Sequence, residues 1–64
     1  MRDFDTLTEV ERLVLDVLGP GGLLTVETLA RSTGRRVHEV RRATDSLQSK
    51  NLAWTNRRGQ WSTV

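Results

Sequence analysis

Cysteine is absent from this chain, so neither a disulfide nor a thiolate metal site can supplement the core, and apolar packing has to carry it. Tyrosine is absent too, and two tryptophans and one phenylalanine are the only aromatics, which supplies no cluster of rings on which unpaired bases would stack. Histidine occurs once, as His38, with no cysteine or second histidine to share a metal, so no metal or cofactor is expected. His38 and Asp45 can share a helical face, but so short a chain implies no pocket around them. The expectation is therefore not an enzyme, with no small-molecule substrate. No apolar run approaches the length that crosses a bilayer and no secretory leader is recognisable, so no membrane partner is expected and the expected compartment is the cytoplasm. The start at Met1 is read as that of a whole small protein.

Sixty-four residues make one expected domain, 1–64, which buries only roughly 60% of the surface its unfolded chain would expose. The net charge of +2 hides a division. Residues 1–30 hold two basic and six acidic side chains, a balance of −4, whereas residues 31–64 hold eight basic and two acidic, a balance of +6. A polyanion would meet the second half and be repelled by the first. Nine of the ten basic residues are arginine, whose planar fork suits both phosphate and guanine edges. A genome rich in G and C would also favour arginine codons, so the positions of the arginines carry more weight than their number.

The first seven residues show no period, and residues 1–7 are expected to fray, with Phe4 folded against the body. Thr8 followed by Glu11 forms a capping box that opens a helix over 9–18, with Val10, Leu13, Val14, Val17 and Leu18 as its apolar face. Gly19-Pro20-Gly21-Gly22 ends that helix. It lacks the Gly-Lys-Ser/Thr that a phosphate-cradling loop needs and follows no strand, so it is read as a turn. Leu23 and Leu24 form a short edge strand leading into Thr25, which can cap a second helix over 26–33. Val26, Leu29 and Ala30 are that helix's apolar positions, and Gly34 is placed to stop it in a left-handed conformation.

A third helix over 36–49 then carries Val37, Val40, Ala43, Thr44 and Leu47 on one stripe, with Arg36, His38, Glu39, Arg41, Arg42 and Asp45 on the other side. Asn51 can take the left-handed place after it, and Leu52 turns the chain back onto the core. Residues 53–64 read as a hairpin around Asn56-Arg57-Arg58-Gly59. With a three-residue loop, Asn56 pairs with Gln60 and Trp61 lies opposite Thr55 on the face of Ala53. With a four-residue loop, Trp54 opposes Trp61. The place of Gly59 favours the first, with Trp61 in the core and Trp54 partly exposed.

This order of helix, short strand, helix, turn, helix and hairpin resembles the winged helix-turn-helix family of DNA-binding domains over roughly residues 23–64. Thr25, Val26, Leu29, Ala30, Thr33 and Gly34, then Val40, Ala43, Leu47 and Leu52, carry the resemblance. Around Gly34-Arg35-Arg36-Val37-His38-Glu39-Val40 the chain is similar to the winged-helix tail of bacterial DNA-processing proteins and to small prokaryotic or phage regulators. The fold class implied is mainly α with a small β-hairpin, a three-helix winged helix-turn-helix.

Three positions depart from the family pattern. Arg35 stands where an apolar residue is usual, which suggests that Val37 fills the turn's apolar place. Thr44 stands for leucine, which implies a thinner core, and Asn51 stands for glycine. The function implied is double-stranded DNA binding, sequence-specific or general, as a transcriptional regulator or recombination accessory factor. Arg36, His38 and Glu39, with Arg42 a turn further on, would read base edges, while Arg41, Arg57 and Arg58 would clamp phosphates, a wing arginine also being able to enter a narrow minor groove, and Arg35 is a further expected nucleic-acid contact. A protein partner or a homodimer is a further expectation, because a lone domain of this size offers few contacts. The rival reading is a winged-helix module that binds protein without DNA, favoured by an exposed Trp54.

Overall fold

A computed structural model of the chain describes residues 7–19 and 21–63. Its elements are α1 (Glu9–Leu18), β1 (Leu24–Thr25), α2 (Val26–Thr33), α3 (Val37–Ser49), β2 (Trp54–Thr55) and β3 (Gln60–Ser62). The strands form one antiparallel sheet in the order β1-β3-β2, so the layout is winged-helix-like: three helices with a hairpin whose second strand also holds the strand before α2. No helix among the described residues is long and apolar enough to cross a membrane.

Side chains at the element ends explain the boundaries. Thr8 and Glu11 make the capping box, with the Thr8 amide donating to Glu11 Oε1 at 2.9 Å and the Glu11 amide to Thr8 Oγ1 at 3.2 Å. Thr25 Oγ1 accepts from the Thr28 amide at 3.3 Å, and Gly34, at φ +70°, closes α2 by donating to the Ala30 carbonyl. Asn51 takes φ +62° after α3, and the Leu52 amide then donates to the Leu47 carbonyl at 2.8 Å, which brings Leu52 against the core. In the hairpin, Asn56 and Gln60 close a three-residue loop with Gly59 at φ +74°, and Thr55 faces Trp61. The shorter loop is therefore the one formed.

The core gathers Val14 and Leu18 of α1, Val26, Leu29 and Ala30 of α2, Val40, Ala43 and Leu47 of α3, and Ala53 and Trp61 of the hairpin. Thr44 is fully buried among them, its hydroxyl donating to the Arg41 carbonyl of its own helix at 2.9 Å. Three sequence expectations are corrected. Leu13 is only half-buried and lies outside the cluster, because the buried side of α1 is turned toward Leu15 and Glu11, and Glu11 is 2% exposed. Val37 is exposed: it is the first residue of α3, a turn ahead of Val40, and does not fill the turn's apolar place, while Arg35, two residues earlier, is half-buried. Leu7 packs against the core rather than fraying, while the expectations for residues 1–6, Phe4 included, lie outside the described residues.

The buried Glu11 carboxylate is met by the Lys50 ammonium at 3.0 Å, which joins the start of α1 to the end of α3. Burial alone would raise the Glu11 pKa. Hydrogen bonds from the Thr8 amide, Lys50, Ser46 and the Thr8 hydroxyl outweigh it and hold the group below the usual 4.5. A carboxyl depressed on folding adds stability above its unfolded pKa and loses it as pH falls through the folded one. Glu11→Gln is expected to cost about 1–3 kcal/mol at neutral pH, because Lys50 loses its partner. Urea titrations below pH 4.5 should show the variant losing less further stability on acidification than the parent. Gly22 supplies a second expected outcome, since a Cβ there would lie 1.8 Å from the Leu18 carbonyl oxygen. Gly22→Ala must displace backbone and should cost roughly 1–3 kcal/mol in thermal or urea unfolding.

Candidate nucleic-acid interface

The core contacts of α3 determine which of its side chains reach solvent. Val40, Ala43, Thr44 and Leu47 face inward, so the helical period turns His38, Arg42, Asp45 and Ser49 outward as one stripe, and all four are exposed. Arg36, the residue before the first turn, is exposed as well and makes no side-chain cap. Arg57 and Arg58 stand at the hairpin tip. There the Asn56 side-chain oxygen accepts from the Arg58 amide at 2.9 Å and the Gln60 amide at 3.0 Å, which holds the loop in one shape.

Trp61 brings helix and hairpin together. Its ring packs inward, and beside it lies an open groove of about 330 Å³ lined by Thr25, Glu27, Arg41, Asp45 and Arg58 as well as Trp61. Arg41 of α3 and Arg58 of the hairpin therefore share one concavity although 17 positions separate them in the chain. Arg42, next to Arg41, serves the opposite flank. It lines a second groove, of about 380 Å³, with Thr8, Val10, His38, Glu39 and Ser46, between the start of α1 and α3.

Ion pairs sort the remaining candidates. The Arg35 guanidinium lies 3.3 Å from Glu9 on α1 and 3.9 Å from Glu39 one turn into α3, so both Arg35 and Glu39 are half-buried and engaged within the molecule. Lys50 is held by Glu11. Of the eight basic residues after position 30, removal of Arg35 and Lys50 leaves six: Arg31, Arg36, Arg41, Arg42, Arg57 and Arg58. All six are exposed and none forms an ion pair among the described residues. The acidic first half is partly neutralised by the same contacts, because Glu9 and Glu11 are the partners.

Sequence reasoning missed Glu27 and misplaced the weight of Asp45. Both carboxylates line the groove that holds Arg41 and Arg58, so that groove is zwitterionic and not purely cationic. Glu27 lies at the second residue of α2, and only the packing of α2 against α3 brings it to the arginines. Arg31, also overlooked, is exposed in the last turn of α2. No group of three or more histidine, cysteine, aspartate or glutamate side chains fit for a metal occurs among the described residues. Compared with known proteins, the chain matches no family model, no curated protein and no solved structure, and its own residues and geometry are what bear on its function.

Proposed function

We propose that the protein binds double-stranded DNA, with α3 in the major groove and the hairpin tip on the neighbouring backbone, as a cytoplasmic transcriptional regulator or recombination accessory factor of a prokaryote or phage. The observation that carries this reading is the shared groove of Arg41 and Arg58. Arginines from the helix and from the hairpin converge there without internal carboxylate partners, so their guanidinium groups are open to phosphate. Arg36, His38 and Arg42 occupy the end and outward stripe of α3, where such helices meet base edges. Arg41, Arg57 and Arg58 are assigned to phosphates, and Glu27 and Asp45 discourage any phosphate that enters deeper than the arginine tips. Arg35 and Glu39 act as a pair: Arg35 anchors the start of α3 to α1 and orients Glu39 beside the base-reading residues.

A second reading, a winged-helix module that binds protein and not DNA, draws support from Trp54, which is 39% exposed. Fluorescence anisotropy of a random duplex titrated at several salt concentrations separates the two. The DNA reading expects log K to fall with log salt at about −0.9 per phosphate contact, for roughly three to six contacts. No binding at low salt by a folded sample would overturn it in favour of the protein module.

The roles assigned to the arginines have separate signatures. Arg57→Ala with Arg58→Ala should weaken binding to every duplex alike and make the salt slope shallower by about 2. Arg36→Ala should cost about 1–3 kcal/mol on the preferred sequence and little on random DNA. Equal loss of both properties in both variants would defeat that division.

A further inference from the structure

Asp45 puts a carboxylate on the outward stripe of α3, in line with His38 and Arg42, and it also lines the groove of Arg41 and Arg58. It forms no ion pair among the described residues, although Arg41 and Arg42 precede it at the i,i+4 and i,i+3 spacings. A cation placed ahead of its carboxylate is the weaker order for such a pair, so Asp45 and both arginines stay open to a ligand. The helix does not stabilise the carboxylate either. Asp45 is the ninth of the thirteen residues of α3, beyond the first turn, where unbonded amides favour a negative charge. Glu27, the second carboxylate of the groove, lies in the first turn of α2 and has that stabilisation.

We infer that Asp45 is a base-reading residue, and that the group it reads is the exocyclic amino group of a cytosine in the major groove. The inference rests on the DNA reading above, which turns the outward stripe of α3 to that groove. A carboxylate facing DNA is repelled by every phosphate, so it gains only from a hydrogen-bond donor. The major groove offers two, the N4 amino group of cytosine and the N6 amino group of adenine. Adenine sets an acceptor, N7, beside its amino group. An ionised carboxylate only accepts and is repelled by that N7, whereas an amide side chain, with a donor and an acceptor, fits both atoms.

Cytosine shows its amino group with no acceptor of its own beside it, and there a carboxylate fits. Arg42 supplies the complement. Its guanidinium suits guanine O6 and N7, and it stands three residues before Asp45 on the same stripe. Three residues of helix advance about 4.5 Å, against about 3.4 Å for one base pair, so the two side chains address neighbouring pairs. Asp45 thus acts in opposite directions on two kinds of duplex. It lowers affinity for DNA in general and raises it for sites that place a cytosine beneath it. Glu27, on α2 and off that stripe, has the first effect alone.

The test selects the preferred site of the parent from random duplexes, then measures anisotropy on that site and on random duplex. Asp45→Ala should bind the preferred site about tenfold more weakly, and random duplex at least as tightly as the parent does. Glu27→Ala should tighten both alike. One cytosine of the site should be sensitive to replacement by N4-methylcytosine, whose methyl group takes the place of the hydrogen in the major groove. The parent should lose about tenfold there and Asp45→Ala nothing. Selection repeated with Asp45→Asn should exchange that cytosine for adenine. Because Asp45 is exposed, both of its variants should keep the circular dichroism of the parent. A parent that binds no duplex would overturn the DNA reading and this inference with it. A parent that binds every duplex equally, an Asp45→Ala variant tighter on preferred and random duplexes alike, or a site with no cytosine sensitive to the methyl group would overturn the inference alone.

Discussion

The indole of Trp61 is the contact on which the rest of this structure depends. It sits in the central strand, opposite Leu24 on one side and Thr55 on the other, and is 6% exposed against the three-helix core. An aromatic side chain of this kind buries roughly 150–250 Å², worth about 4–6 kcal/mol before entropy. That is comparable with the whole net stability of about 3–10 kcal/mol ordinary for a chain of this length. A one-residue slip of β3 would turn Trp61 to the outer face beside Trp54 and re-aim the loop between them. The burial of one ring therefore fixes both the sheet register and the position of Arg58 relative to Arg41.

A second constraint is electrostatic and runs along α1. Glu11 pairs with Lys50 at the far end of α3, and Glu9 pairs with Arg35 at its near end, so α1 fastens α3 at both ends. In the first pair Glu11 is buried and Lys50 half-buried, so loss of Lys50 would leave a buried carboxylate without its cation. The second is exposed on the Glu9 side and contributes little to stability, but it selects which arginines stay available. With Arg35 and Lys50 occupied, the unpaired cations after position 30 lie on and just before α3, at the hairpin tip and at the end of α2, and Arg12 is exposed on α1 and unpaired among the described residues.

Much of this architecture is legible in single residues whose chemistry is local. The Thr8 and Glu11 capping box, the Thr25 cap, the left-handed Gly34 and Asn51, and the Asn56 to Gly59 loop each satisfy backbone groups within a few positions, so short sequence windows suffice to place them. The inward stripe of α2 and most of that of α3 follow from helical period in the same way. The period alone could not say that Glu11 would displace Leu13 from the centre of the α1 face. The deciding group, Lys50, is 39 residues away.

The candidate site divides along the same line. Sequence alone determined that arginines would project from the third helix and from the hairpin tip, because a helix with one apolar stripe and a turn flanked by strands leave them nowhere else to point. Only the tertiary structure decided which of them remain unpaired, that Arg41 and Arg58 share a groove, and that Glu27 and Asp45 share it with them. Each of these is a meeting of residues distant in the chain, produced by the packing of α2 on α3 and by the register of β3 between two strands.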